Sequence, residues 1–310
     1  MEIKIVFTYY AYVEVFNSNL KYLIYISFFL ILVSCEKDIP LGNEVFKKKL
    51  VINSFNRADS FLSVNISESV NILGIPSSSK LSGDAKVLVL KDGLILFNDF
   101  IKVDKGNFTI PFKCLRQSVY ELQVAFEGYP SIRAKDSVPL LDPVFEIDTL
   151  ISQLNGHKLI FELNDPVQRN NYYLQLFAKG KQWNGTDSLE VTKALNYIAD
   201  DKIFISNLLT ISRDNSFSLF DDELINGNTR KMSLKIDNSD LYRKGFVASE
   251  IILKLSNVSE TMYVYYLNLL ENTHVYGGPL ASTSRENGNI DQGLGVFCFY
   301  SNTTRKVKIP

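Results

Sequence analysis

The stretch Lys86-Val87-Leu88-Val89-Leu90-Lys91-Asp92-Gly93-Leu94-Ile95-Leu96-Phe97 decides the fold class. Two runs of branched and aliphatic residues flank Asp-Gly, a dipeptide that takes positive φ at low cost, and this is the pattern of a β-hairpin. Short runs of the same kind lie on either side: Leu50-Val51-Ile52, Ser63-Val64-Asn65-Ile66-Ser67, and residues 107–110, 120–126 and 131–137, with Glu127-Gly128 turning the chain between the last two. Strands at this spacing, separated by turn residues, predict a mainly β protein. Its N-terminal part, residues 48–140, is expected to be an immunoglobulin-like β-sandwich.

Val138-Pro139-Leu140-Leu141-Asp142-Pro143 breaks the alternation, and a second β-rich domain carrying one helix is expected over residues 141–310. Residues 145–151 and 157–163 flank Asn155-Gly156; residues 171–177, 217–220, 230–236 and 249–255 are further strands, with Asn226-Gly227-Asn228 as another turn. The helix is expected near residues 259–273, capped by Asn257 with Glu260 three positions on, as in a capping box. Met262, Tyr266, Leu269 and Leu270 share one face of it and are read as core packing rather than a ligand platform. A hairpin of residues 295–300 and 306–309 is expected to close the chain.

Upstream of the β runs the grammar changes. Lys21 precedes an apolar run, residues 22–33, which ends in Leu32-Val33-Ser34-Cys35 and gives way at once to Glu36-Lys37-Asp38. A positive flank, an apolar segment and a small residue before Cys make a secretory signal of the lipoprotein type. The segment falls short of the roughly 20 apolar residues that a membrane-crossing helix needs. Residues 1–34 are therefore expected to be a cleaved signal peptide, Cys35 the lipid attachment site, and residues 35–47 a tether. Before Lys21, Glu14 sits among Tyr9, Tyr10, Tyr12, Val13 and Val15, which fits no signal, so translation is expected to start near Leu20. Several acyl chains hold a protein stably on a bilayer, so the first expected partner is a membrane.

The formal net charge is −1, which offers no field for nucleic acid, and none is expected as a partner. Lys47-Lys48-Lys49, the one cationic cluster, is read as a solvated lead-in to the first strand. With Cys35 committed to lipid, Cys114 and Cys298 remain, too few for a disulfide framework or a structural zinc site. Each lies in an apolar run, and buried free thiols are favoured over a disulfide between them.

Catalytic grammar is sparse. His157 follows the Asn-Gly turn and His274 ends the expected helix, so both have structural explanations. No Gly-x-Ser-x-Gly elbow and no glycine-rich phosphate loop is present. Asp200-Asp201 and Asp221-Asp222-Glu223 abut turns and match no calcium loop. No enzyme activity, cofactor or metal is expected, and a hydrolase is the least favoured reading.

Several motifs in order carry a resemblance. They are Cys35-Glu36-Lys37-Asp38, Lys49-Leu50-Val51-Ile52, Tyr120-Glu121-Leu122 leading to Ser137-Val138-Pro139, Asn164-Asp165-Pro166 with Asn171-Tyr172-Tyr173, Phe220-Asp221-Asp222-Glu223-Leu224 with Asn226-Gly227, and the closing Asn289-Ile290-Asp291-Gln292-Gly293-Leu294-Gly295-Val296-Phe297. Together they resemble a Bacteroidota lipoprotein family known as domain of unknown function 4249, over essentially the whole chain after Cys35. Gly277-Gly278-Pro279-Leu280 departs from the Pro-Phe pair usual in that family after the helix. The resemblance implies an outer-membrane accessory lipoprotein, exposed at the cell surface, encoded beside a TonB-dependent receptor that it assists in nutrient uptake. It brings no catalytic residues. The alternative is a structural or adhesive surface lipoprotein with no transport role. Asp136-Ser137-Val138, Asp148-Thr149-Leu150 and Asp187-Ser188-Leu189 resemble an O-glycosylation sequon, although triplets this loose arise by chance.

Overall fold

The structure, a computed structural model, describes residues 47–70, 81–199, 201–204, 217–274 and 288–310. The signal segment, Cys35, most of the tether, Asp200, Gly277-Gly278-Pro279-Leu280 and the side chain of His274 lie outside the described residues.

In chain order the strands are β1 (Leu50–Arg57), β2 (Phe61–Glu68), β3 (Gly83–Lys91), β4 (Leu94–Val103), β5 (Asn107–Lys113), β6 (Val119–Phe126), β7 (Ile132–Ser137), β8 (Val144–Gln153) and β9 (Gly156–Asn164). There follow β10 (Asn171–Trp183), β11 (Ser188–Ala194), β12 (Ile198–Ala199), β13 (Ser218–Asp221), β14 (Thr229–Asp237), β15 (Phe246–Val258), β16 (Ile290–Asp291) and β17 (Leu294–Lys308). A short helix, α1 (Asn238–Leu241), precedes β15, and α2 (Glu260–His274) follows it. The expected hairpin is there: Asp92 and Gly93 take φ of 52° and 82° between β3 and β4, the left-handed pair that suits strand twist.

One large sheet runs β11-β10-β15-β17-β1-β2-β5, with β13 also on β10. A five-stranded sheet, β16-β7-β6-β3-β4, and a four-stranded one, β12-β14-β9-β8, complete the described strands. Alternation along each strand sends neighbouring side chains to opposite faces, which explains the layers. On β17, Phe297 and Phe299 join Ile52, Val64, Val87, Leu122 and Val124 in the core shared with the five-stranded sheet. Val307 and Ile309, further along the same face, pack on the core shared with the four-stranded sheet, built from Phe161, Leu234, Leu174 and Leu253. Val296 and Cys298 point the other way, beneath α2, with Tyr173, Leu219, Met262 and Leu270. Two sandwiches thus lie side by side on one face of a common sheet, and α2 covers part of the other face.

The break read at residue 140 separates two hydrophobic cores but not two sheets. Residues 47–310 form one compact unit, because β17 runs parallel to β1 in its first half, from Val51↔Leu294 to Arg57↔Tyr300. Its second half is antiparallel to β15, from Val258↔Tyr300 to Glu250↔Lys308. The closing hairpin expected at residues 295–309 is therefore a correction: it is a single strand. Ser301-Asn302-Thr303-Thr304 looks like a turn in sequence but spans the junction between the cores. There the fully buried Ser301 hydroxyl donates to the Leu141 carbonyl at 2.7 Å. Gly295 is required where the start of β17 meets β1, since φ is +95° and an added Cβ would lie 2.0 Å from the Ile52 carbonyl oxygen.

The helix falls one residue from its expected position, and its cap differs. Ser259, not Asn257, caps it, accepting the Met262 N–H on its hydroxyl at 3.3 Å. Asn257 still belongs to β15, and its side chain turns to Asn170 and Leu141 instead. Of the expected apolar face, Met262 and Leu270 are buried and Tyr266 partly so, whereas Leu269 is exposed and Tyr263 takes a buried place. Cys114 and Cys298 are free and buried, in cores on opposite faces of the large sheet. Burial pushes the Cys114 thiol up to about 12 and raises Cys298 as well, so both are inert as thiolates.

Candidate functional site

Two adjoining hollows with polar side chains in their walls lie at the start of α2. The end of β7 supplies Lys135, Asp136 and Ser137, and α2 supplies Glu260, Thr261 and Asn268; they line a groove of about 630 Å³. A smaller hollow of about 360 Å³ adjoins it, lined by Gln168, Arg169, Asn170 and Asn257 among others, and sharing Ser137 and Glu260 with the groove.

Asp136 is the centre of the groove wall. It is buried among inward-facing Ile132, Ala134 and Val138 on the same face of its segment. Its Oδ1 accepts the Thr261 hydroxyl at 2.9 Å and its Oδ2 the Phe299 N–H at 3.1 Å, tying β7 to α2 and β17. Burial raises its pKa from 3.8 to about 6, against the hydrogen bonds from Ser259, Ser137, Thr261 and Phe299, which favour the anion. Beside it, Asn289 accepts the Phe297 N–H at 2.9 Å and donates to the carbonyls of Lys135 and Phe297.

The sign of the pH effect follows from that shift. Between 3.8 and about 6 the folded state holds more proton on Asp136 than the unfolded chain does. Stability therefore falls as pH rises across this window and is flat above it with respect to this group. Asp136→Asn is expected to remove that part of the pH dependence, read as thermal midpoints of mutant and parent over the window; parallel curves would refute it.

Beneath the hollow lies a second polar cluster. Asn257 donates to the Asn170 side-chain oxygen at 2.6 Å, and Asp222 accepts the Asn170 N–H at 2.6 Å. Tyr172 donates to Asp165, whose other oxygen accepts the Gly227 N–H at 3.1 Å. Burial is the leading cause that raises Asp165, Asp222 and Tyr172 from their ordinary values. Asp165, Tyr172, Asp222 and Gly227 come from Asn164-Asp165-Pro166, Asn171-Tyr172-Tyr173, Asp221-Asp222-Glu223 and Asn226-Gly227, so two stretches, 164–173 and 221–227, meet here. Their side chains are spent on one another and on backbone, which is how buried polar groups avoid the cost of desolvation.

The other sequence candidates are dispersed. Asp201 makes a two-pronged pair with Arg230, at 3.0 and 2.9 Å from Nη2. His157 is buried at the start of β9, 3.5 Å from the Ser152 hydroxyl, and burial lowers its pKa. Of the three sequon-like triplets, Ser137 stands exposed at the rim shared by groove and hollow, while Thr149 and Ser188 are exposed on β8 and β11. Among the described residues no three His, Cys, Asp or Glu side chains group so as to hold a metal ion. Asp136 figures in the sequence only as the first residue of a sequon-like triplet, and Asn170 not at all. The available signal for Asp136 was an acid on the otherwise apolar face of residues 132–138.

Compared with known proteins, residues 36–306 match a family model described as Domain of unknown function (DUF4249). No curated protein matches the chain.

Proposed function

We propose that this chain, which belongs to the family described as Domain of unknown function (DUF4249), is a lipid-anchored outer-membrane accessory or binding protein that assists a TonB-dependent receptor in nutrient uptake. The observation that carries the reading is Leu32-Val33-Ser34-Cys35 at the end of a short apolar run, with the family match beginning one residue later at Glu36. A signal ending in a lipidated Cys places the folded part on a membrane surface without a span, and no described helix is long and apolar enough to cross one.

Binding is favoured over catalysis by the state of the groove. Both oxygens of Asp136 are engaged with Thr261 and Phe299, and the one histidine whose side chain is described, His157, is buried at the start of β9 away from the groove. What the groove offers is a mixed wall between β7 and α2, with Lys135, Ser137, Glu260 and Asn268 beside Val119 and Val264, suited to a small amphipathic ligand or to a loop of a partner.

Two measurements test the reading. Cys35→Ala is expected to abolish incorporation of radiolabelled palmitate and to move the protein from the membrane to the soluble fraction; labelling that persists removes the anchor. Affinity isolation from mildly solubilised outer membranes is expected to bring down a TonB-dependent receptor, and repeated isolation without one removes the transport role.

A further inference from the structure

The β3–β4 hairpin exposes an apolar tip that nothing in the described chain covers. Leu94, Ile95 and Leu96 are 76, 67 and 43 % exposed in succession, and Phe100 is 66 % exposed further along β4. Single exposed apolar residues are ordinary, but a run of three is not unless it serves a contact. The register gives the run its meaning. Leu94 pairs with Lys91 and so lies on the face that Tyr120 occupies, whereas Ile95 pairs with Leu90 on the opposite face, beside Glu121. The strand segment just behind the Asp92-Gly93 turn is therefore apolar on both of its faces.

A protein partner laid on one face would leave the other wet. Strand addition along β4, an edge strand, is obstructed as well: a bulge interrupts its ladder between Val89 and Leu90, and the Phe100 N–H is taken by the Asp99 side chain at 2.7 Å. An occupant that surrounds the tip from both sides is a fluid apolar phase. The turn that leads the hairpin is charge-balanced, with Lys91 Nζ 3.9 Å from Asp92 Oδ2, and Lys86 stands opposite Phe100 further back, on a stem long enough to reach a lipid phosphate from an apolar layer.

We infer that the β3–β4 hairpin inserts its tip, Leu94 to Leu96, into the head-group boundary of a lipid bilayer as a second membrane contact. The inference rests on the proposed lipid anchor for bringing the bilayer close. Fourteen residues separate Cys35 from Leu50, a reach of up to about 46–50 Å, against about 30 Å for the length of β3. Anchor and tip can therefore rest on the same membrane. The contact would hold the groove at a fixed height and tilt instead of leaving it to swing on the tether.

The test uses the lipidated protein reconstituted into vesicles of phosphatidylethanolamine and phosphatidylglycerol carrying shallow doxyl lipid. A polarity-sensitive fluorophore is placed at Leu94→Cys, and in a separate sample at Leu154→Cys, a position 95 % exposed in the β8–β9 turn; the buried Cys114 and Cys298 do not compete for label. The expected result is a blue shift and about a twofold loss of emission at position 94, with neither at 154, since interfacial apolar groups sit within about 5–10 Å of the head-group boundary. Protein that floats with the vesicles and shows equal, water-like emission at both positions overturns the insertion while leaving the anchor intact. Quenching at position 94 in protein that carries no palmitate keeps the insertion and removes the anchor. Protein that does not float overturns both.

Discussion

A chain ended at Gly293, lacking β17, is expected to show no cooperative thermal transition and to bind a hydrophobic dye such as ANS at ordinary temperature. The expectation follows from where that strand lies. Phe297 and Phe299, both fully buried, belong to one sandwich core, Val307 and Ile309 to the other, and Val296 and Cys298 to the layer under α2. Loss of one large buried aromatic costs about 3–5 kcal/mol, and a whole domain is stable by only about 5–15 kcal/mol. Two phenylalanines alone would consume most of that margin. The deletion also opens the backbone edges of β1 and β15, which pair with β17 over most of their lengths. A sharp near-native transition in the truncated chain would mean that the N-terminal sandwich stands by itself, and would restore a domain boundary at residue 140. The single substitution Phe299→Ala, expected to fold with a loss of about 3–5 kcal/mol, separates the packing contribution from loss of the strand.

Tyr172→Ala is the second large effect, expected to cost about 4–7 kcal/mol by urea denaturation. Two mechanisms combine in it. Tyr172 is 1 % exposed and stacks on Phe220 with ring centroids 4.9 Å apart, so its removal leaves a cavity in a core that cannot readily collapse. Its hydroxyl is also the side-chain donor to buried Asp165, and without it one carboxylate oxygen loses its partner in a site already unfavourable to charge. Tyr172→Phe isolates the second mechanism and is expected to cost about 1–3 kcal/mol. Equal losses in the two variants would show that the hydrogen bond carries nearly all of the effect and the ring little.

What could be read in the sequence was local. Asp92-Gly93 specifies a turn from two residues, and that turn is found where it is written. Asn155-Gly156 marks a hairpin, but its turn residues are Leu154 and Asn155, and Gly156 opens β9 opposite Gln153. The helix at Glu260–His274 was legible for the same reason. Pairings between distant segments were not. Nothing in Leu50-Val51-Ile52 announces that its partner lies near the C-terminus, and Ser301-Asn302-Thr303-Thr304 carries turn residues that tertiary context overrides. The site divides in the same manner. Asp165, Tyr172 and Asp222 lie in motifs that could be quoted beforehand, but their convergence depends on β10, β13 and β15 coming together. Asn257 misled because a cap is recognised by spacing, and Ser259 lay two residues nearer the helix. Asp136 was hidden by its triplet, where its neighbour Ser137 drew the reading.

The parallel pairing of β1 with β17 also sets a timetable for folding. The partners are separated by about 240 residues, and contacts that close so long a loop form late and slowly. Until the last strand arrives, one side of β1 has no partner and the N-terminal core lacks Phe297 and Phe299. A chain that has not yet reached β17 therefore lacks side chains that both sandwich cores use. Closure of both cores is expected to wait for β17 and to proceed from it back onto β1.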